Sequence, residues 1–420
     1  MIAGKLARPG QPLTTGTVAG ARRRSGWERL ALVGARVLLI TAGLLAPLLA
    51  FEVGVRLFGP FLLGDYNIHG FKSPHPVYGL FPRPYARTWN KTSEFAAYVE
   101  LNARGLRGPD IAVPKPPGRR RIVVLGDSFT FGAQVPEAET AVAVLQRRMR
   151  DELGDPTIEV VNAGVESWGT GHQHLFWQHD GQPLEPDLVI LAFFVGNDVE
   201  DNTFAMDSHK NQPGRVHYTV DATGALVLRP VQVPELTERD VWATELRRRS
   251  ELYSLVEVWP HHLRDFWKVA EERGPSRKGL SIFRREYSAG TQQAWTVTEA
   301  LIDDLRDRVE ATGARFLVVG IPSPVQFYPD NREIWDLTGK DGERHLDWGR
   351  PSRELDTITA RNGVDLLDLK PTFERSIAEG APRLYFLPDN HWTTAGNALA
   401  ADTIARRILA DGLLTAPASR

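Results

Sequence analysis

The chain has 420 residues, enough for two or three domains at roughly 150 residues each, and 42% hydrophobic with 24% charged residues excludes wholesale disorder. Fifty lysines and arginines nearly cancel 52 aspartates and glutamates, leaving a formal net charge of -2, which argues against a nucleic-acid binder. With no cysteine, disulfides, zinc–thiolate sites, thiol catalysis and a lipid-modified cysteine are excluded.

The first element is apolar. Residues 30–51 form a run of 22 with one charge, Arg36, long enough as a helix to span a hydrocarbon core of about 30 Å. Lys5, Arg8, Arg22, Arg23, Arg24 and Arg29 precede it, whereas Glu52 and Arg56 follow. That asymmetry predicts a cytoplasmic N-terminus with everything after Gly59 outside, in the periplasm or beyond. A cleaved signal peptide has a shorter apolar core and a small-x-small cleavage site, and Ala46-Pro47-Leu48-Leu49-Ala50 offers no clean one. A buried core helix would show polar residues at helical spacing, and this run shows almost none. The expectation is an uncleaved single-pass anchor.

Residues 65–119 are rich in proline and glycine and read as a small, irregular extension ending in a linker at 114–118. Its best element is 95–101, where Phe95, Ala97, Val99 and Leu101 alternate as in a half-buried strand. Beyond it come short, almost wholly apolar runs at 122–125, 158–161, 188–194, 316–321 and 364–367, the pattern of strands buried on both faces. Between the first two, Val142, Leu145, Met149 and Leu153 recur at helical spacing, with Glu137 and Glu139 near the start and Gly154 past the end. Further helices are expected over 294–312 and 395–410. Alternating strands and helices predict an α/β domain on a parallel five-stranded sheet. Residues 204–288 break the rhythm. They carry Trp242, Trp259 and Trp267, and read as an insertion, helical over 246–267, that caps the sheet edge or the mouth of the site.

Chemistry concentrates where these strands end. After the first run, Gly126-Asp127-Ser128 turns at the carboxyl end, where open α/β sheets bind ligands. A serine there suits nucleophilic attack, although a serine capping a turn is commoner. Val160-Val161-Asn162-Ala163-Gly164 ends the second strand, and Phe194-Val195-Gly196-Asn197-Asp198 the third. The backbone N–H groups of Ser128 and Gly164 and the amide of Asn197 are three candidate donors to a substrate oxyanion; alone, each asparagine would be read as turn chemistry. Of eleven histidines, His391 has the right company, in Leu387-Pro388-Asp389-Asn390-His391-Trp392 before the last helix. A carboxylate that holds Nδ1–H lets Nε2 take a serine proton, and in an extended loop residues two apart project to the same side.

Together these four blocks, in this order and at these strand ends, resemble the SGNH (GDSL-type) hydrolase superfamily over about residues 120–409. The resemblance implies a three-layer, flavodoxin-like fold, with Ser128 as nucleophile, Gly164 and Asn197 as oxyanion donors beside Ser128, His391 as general base and Asp389 as its orienting acid. Upstream, Leu101-Asn102-Ala103-Arg104-Gly105-Leu106-Arg107-Gly108 resembles a segment that precedes this domain in membrane-anchored bacterial members. Many members place the aspartate three residues before the histidine; here position 388 is proline and Asp389 is two before. The shorter spacing also occurs in branches that include polysaccharide O-acetyltransferases of the alginate type, where an aromatic such as Trp392 can follow the histidine.

Weaker signals are read blandly. His172 and His174, two apart on a helix, do not share a face and lack a third metal ligand. Asp198, Glu200 and Asp201 read as a solvated loop, and Trp335 and Trp348 as packing residues rather than sugar platforms. No phosphate loop is present, and neither metal nor organic cofactor is implied. The expected organisation is a basic cytoplasmic segment at 1–29, an anchor at 30–58, the extension and linker at 59–118, and a catalytic domain at 119–415 interrupted by the insertion. The expected activity is an extracytoplasmic serine esterase acting on an acyl ester, with an acylated glycan as a candidate substrate. Two alternatives stand beside it: an O-acyltransferase served by a separate acyl-donor membrane protein, and a non-catalytic envelope protein on the same fold.

Overall fold

The computed structural model describes residues 26–62, 71–235, 237–250, 252–253, 256, 280–334, 343–387 and 389–414. The chain divides into two compact units, Met1–Arg56 and Leu57–Arg420. The first is built, where described, on helix α1 (Gly26–Leu62). Its stretch Leu30–Phe58 has a mean hydropathy of 2.1 over its most apolar window, none of which is buried. A core helix would bury one face. This one is long and apolar enough to cross a membrane, as anchor or as signal sequence.

In the second unit the extension is more regular than its composition suggests. It forms two antiparallel hairpins, β1 (Lys72–His75) with β2 (Gly79–Pro82), and β3 (Arg87–Lys91) with β4 (Ala96–Glu100). The alternation read at 95–101 is seen in β4, where Ala97 and Val99 are buried and Ala96, Tyr98 and Glu100 are exposed.

The central sheet comprises β5 (Arg120–Gly126), β6 (Ile158–Gly164), β7 (Leu188–Phe194), β10 (Arg315–Ile321) and β11 (Leu366–Asp368), after the small hairpin β8 (Tyr218–Val220) and β9 (Leu226–Leu228). Its order is β11-β10-β7-β5-β6 with every pair parallel. Strand alternation sends Val123, Leu125, Val161, Val189, Leu191 and Val318 into one core and Ile122, Val124, Val160, Ile190 and Val319 into the other. Both faces are therefore covered, which is why the runs are continuously apolar. The chain leaves β5 to one side for β6 and returns past it to β7, so the strand order reverses beside β5. Such a reversal opens a crevice at the strands' carboxyl ends.

Helices complete the layers. On one face lie α4 (Thr170–Phe176), α7 (Ala289–Glu310) and α9 (Arg350–Arg361); on the other lie α3 (Ala141–Leu153), α10 (Lys370–Ala378) and α11 (Thr394–Ala410). Two very short helices, α2 (Ser128–Phe131) and α5 (Asp198–Asp201), sit at strand ends, and α6 (Glu238–Arg249) and α8 (Pro329–Ile334) in connections. Helix α3 begins on Thr140, whose side chain accepts from Ala143 N–H, and stops at Gly154, whose φ of 58° is left-handed.

The insertion was expected at the sheet edge or the mouth. Its described part packs on the α4–α7 layer, where Val216, Tyr218, Ile282 and Phe283 join that core and Tyr218 N–H donates to Asn202 O. Helix α6 ends at Arg249; of the helix expected over 246–267, residues 246–249, 252, 253 and 256 are helical, and 251, 254–255 and 257–267 lie outside the described residues. Trp259, Trp267 and Trp335 lie outside the described residues. Trp348 packs 5.3 Å from Phe283 with the Arg332 guanidinium 4.5 Å over its ring.

Candidate active site

Ser128 leaves the carboxyl end of β5 at the start of α2. Asp127 caps this helix, its Oδ1 accepting from Phe129 N–H at 2.9 Å, and Gly132 closes it with a left-handed φ of 67°. The helix lies directly on the sheet end. A Cβ on Gly126 would meet the Thr130 side chain, and one on Gly164 would stand 2.6 Å from Phe131 N. Glycine at these two register partners is what lets α2 approach.

His391 and Asp389 lie in the loop before α11. The Asp389 carboxylate is 2.6 Å from His391 Nδ1, and His391 Nε2 is 2.8 Å from Ser128 Oγ. With Nδ1–H donated to the carboxylate, Nε2 is left to accept the serine hydroxyl. Phe129 supports the imidazole with ring centroids 4.9 Å apart, and meets Trp392 edge-on at 5.1 Å. Asn390 adopts a left-handed φ of 70°, tolerable for asparagine, and its Oδ1 accepts from Asn331 Nδ2 at 2.5 Å.

The electrostatics favour the charged form of this pair. Burial pushes the His391 imidazole down, but Asp389 first, then Asp127 and Glu166, hold it above its ordinary 6.5. Burial likewise works to raise Asp389, and His391 together with hydrogen bonds from His391 N–H and Gln134 holds it below the ordinary carboxylate value. Lys72, from β1, donates to the Glu166 carbonyl; burial lowers its amine to about 8 against the opposing pull of the Glu166 carboxylate.

The other expected donors stand at the ends of neighbouring strands. Gly164 N–H is 3.0 Å from Asn162 Oδ1, while Asn162 Nδ2 donates to Thr130 O at 2.7 Å, tying β6 to α2. One hydrogen of the Asn197 amide goes to Asp201 Oδ2 at 2.9 Å, which sets the amide plane and leaves the second hydrogen.

The acidic residues after Asn197 are not a solvated loop, contrary to expectation. Asp198 is fully buried, Asp201 is 6% exposed, and Glu200 accepts from Ser281 Oγ. Asp198 Oδ2 accepts from Phe194 N–H at 3.2 Å, folding α5 back under β7. Burial, reinforced by Asp127 and Asp201, drives the Asp198 carboxyl well above its ordinary value; burial also raises Asp127.

Several contributors were given no role by the sequence. Arg107, 2% exposed, donates to the carbonyls of Phe131 (3.0 Å), Gly132 and Val135 (2.6 Å), at and just beyond the end of α2. Arg215 joins Asp201 (2.8 Å), Asp207 (2.6 Å) and the Ser167 carbonyl (2.5 Å), bracing the loops after β6 and β7. The signal for Arg107 was its place in the Leu101–Gly108 segment, and Arg215 offered none.

His172 Nε2 meets Gly214 O at 2.9 Å and His174 Nε2 meets Asp304 at 2.5 Å, so the two rings are turned to different partners. Asp201, Asp207 and His209 bring ligand atoms within 4.8 Å of one another, but the Arg215 guanidinium already supplies the positive charge between both carboxylates.

A serine at the switch point of a five-stranded parallel sheet, hydrogen-bonded to a histidine–aspartate pair, is an arrangement that suits acyl transfer from an ester through an activated serine. Residues 282–420 match the family model described as "SGNH hydrolase-like domain, acetyltransferase AlgX", so the C-terminal third is similar to that domain. No curated protein matches the chain. Among solved structures, the chain is similar to LAE5, an alpha/beta hydrolase from the metagenome of Lake Arreo, Spain, at 16% identity and a TM-score of 0.36, covering 71% of this chain and 97% of that one. It is also similar to the acetyl xylan esterase AlAXEase (12% identity, TM-score 0.36, 69% and 99% covered). A mutant of the acetyl-xylooligosaccharide esterase Axe2 from Geobacillus stearothermophilus gives 13% identity and a TM-score of 0.37, with 70% and 96% covered.

Proposed function

We propose that this protein is an extracytoplasmic, membrane-anchored serine enzyme that cleaves acyl esters through an acyl-enzyme on Ser128. The observation that carries the reading is the hydrogen-bond chain Ser128 Oγ–His391 Nε2 and His391 Nδ1–Asp389 Oδ1, at 2.8 and 2.6 Å. Both distances suit proton transfer. In the first half-reaction Ser128 Oγ attacks the ester carbonyl carbon while its proton passes to His391 Nε2. Asp389 keeps the imidazole in the reactive tautomer and stabilises the imidazolium. The oxyanion accepts hydrogen bonds from Ser128 N–H, from the second Asn197 hydrogen and from Gly164 N–H, which it shares with Asn162. Collapse of this intermediate breaks the ester C–O bond; the alkoxide leaves with the proton held by His391. In the second half-reaction His391 deprotonates the acceptor, which attacks the acyl carbon and releases Ser128.

With water as acceptor the enzyme is an esterase, and hydrolysis requires no further binding site. A second reading, O-acetyl transfer to an envelope or secreted polysaccharide, is favoured by the match of residues 282–420 to an acetyltransferase domain. Partitioning separates them. Supplied with a surrogate acetyl ester and candidate oligosaccharides, an esterase releases free acetate, whereas a transferase yields acetylated sugar despite about 55 M water, because its bound acceptor excludes solvent. Neither product from any ester would refute the enzymatic reading. The outward orientation rests on α1 and on the basic residues before it.

A further inference from the structure

The loop that holds Asp389 and His391 is braced by a residue nearly three hundred positions upstream. Glu94 sits at the tip of the β3–β4 hairpin, in a four-residue turn between the register partners Lys91 and Ala96. That tip is ordered by its own contacts: Thr92 N–H donates to Phe95 O at 2.9 Å and Thr92 Oγ1 accepts from Glu94 N–H at 3.1 Å. The Glu94 carboxylate then accepts two backbone N–H groups of the loop, Leu387 at 2.6 Å through Oε1 and Asp389 at 3.0 Å through Oε2. Next to it the Phe95 and Phe386 rings pack with centroids 5.0 Å apart.

The same hairpin grips the other half of the site. Asn90 Nδ2 donates to Ala133 O at 3.1 Å, and Val99 and Leu101 form a small core with Phe131 and Ala133, the residues that follow Ser128. One hairpin thus touches both the segment carrying the nucleophile and the loop carrying its base, which the chain otherwise delivers from opposite ends of the domain.

We propose that Glu94 is a positioning residue, whose carboxylate sets the Asp389–His391 loop against Ser128. The proposal rests on the acyl-enzyme reading for what the site does, but not for the geometry it predicts. Two N–H groups held by one anion define both the position and the tilt of the loop backbone. Without the carboxylate those donors lose their partner, and the 2.6 Å contact between Asp389 and His391 loses its support from below. A displacement of about 1 Å at such a site costs on the order of 10²-fold in rate.

The test compares Glu94→Ala and Glu94→Gln with the wild-type full-length protein, with Ser128→Ala as the inactive reference. Glu94→Ala should lower kcat by about 10–100-fold with KM little changed, while Glu94→Gln, which keeps one acceptor oxygen, recovers part of the loss. The NMR titration of the His391 ring gives a readout that needs no turnover. In the wild type Asp389, Asp127 and Glu166 all raise the pKa of this ring, and Asp389 alone is hydrogen-bonded to it among the three. Loosening only Asp389 should bring its pKa down in Glu94→Ala, with thermal unfolding still cooperative. An unchanged His391 titration and unchanged kcat in a folded Glu94→Ala would overturn the positioning role. Full ester turnover in Ser128→Ala would overturn the catalytic reading instead, and the His391 titration would still decide the role of Glu94.

Discussion

Ser128 and His391 are 263 positions apart in the chain, yet Oγ and Nε2 stand 2.8 Å from each other. One belongs to the first sheet strand's end and the other to the loop before the last helix, so the contact exists only once the whole sheet is assembled. If the pair acts as a unit, Ser128→Ala and His391→Ala should each abolish most turnover, and the double variant should be little worse. Initial rates on a small acetyl ester check this. A serine-directed phosphonate should label the wild type and not Ser128→Ala.

The rate should depend on pH in a defined direction. His391 must be neutral to accept a proton, and it is held above its ordinary 6.5 despite burial, chiefly by Asp389. Turnover should therefore fall as pH drops through an apparent pKa above that value. Asp389→Asn removes the main charge that raises the imidazole, so its acidic limb should move to lower pH while kcat falls by about 10⁴-fold, as when a triad histidine loses its orienting carboxylate. A pH–kcat/KM profile of both proteins measures the shift. A limb that does not move would assign the titration to another group.

Asn197 offers a graded test. Losing an oxyanion donor costs about 2.7–4 kcal/mol of barrier, or 10²–10³ in kcat, so Asn197→Ala should show that loss with substrate binding largely kept. Its amide plane is set by Asp201. Asp201→Ala should therefore reproduce part of the effect, although it touches neither Ser128 nor His391. Steady-state kinetics separate kcat from KM in each case.

Arg107 should matter to stability first. Its buried guanidinium serves three carbonyls at and beyond the end of α2. Arg107→Met keeps most of the volume and strands the Phe131 and Val135 carbonyls, Gly132 O keeping Val135 N–H at 3.3 Å, at about 1–3 kcal/mol each, so urea unfolding should show a loss of about 2 kcal/mol or more. Loss of stability without any loss of Ser128 labelling would separate folding from positioning.

Topology has its own test. If residues 30–58 form an anchor with a cytoplasmic N-terminus, protease added to spheroplasts should digest the C-terminal domain, and the intact protein should stay with membranes. Complete protection, or a mature N-terminus near Phe51, would replace the anchor by an inward domain or a cleaved signal.

What the sequence determined by itself is local or periodic. Strands buried on both faces must be apolar at every position, so β5, β6, β7 and β10 are legible as uninterrupted runs, whereas β11 is short and half-buried and shows less clearly. The chemistry at strand ends is legible for the same reason: Gly126, Ser128, Gly164 and Asn197 each follow directly on such a run, and Asp389 lies two residues from His391. Tertiary structure alone decided which polar groups would be paired, and with what. Asp198 and Asp201 read as solvent-facing because their charge is local information, while the fold of α5 beneath β7 and the approach of Arg215 are not. Glu94 and Arg107 bond to backbone groups, and a backbone N–H or carbonyl looks the same at every position of a sequence. Their partners are set by packing between segments far apart in the chain, where no periodicity or motif reaches.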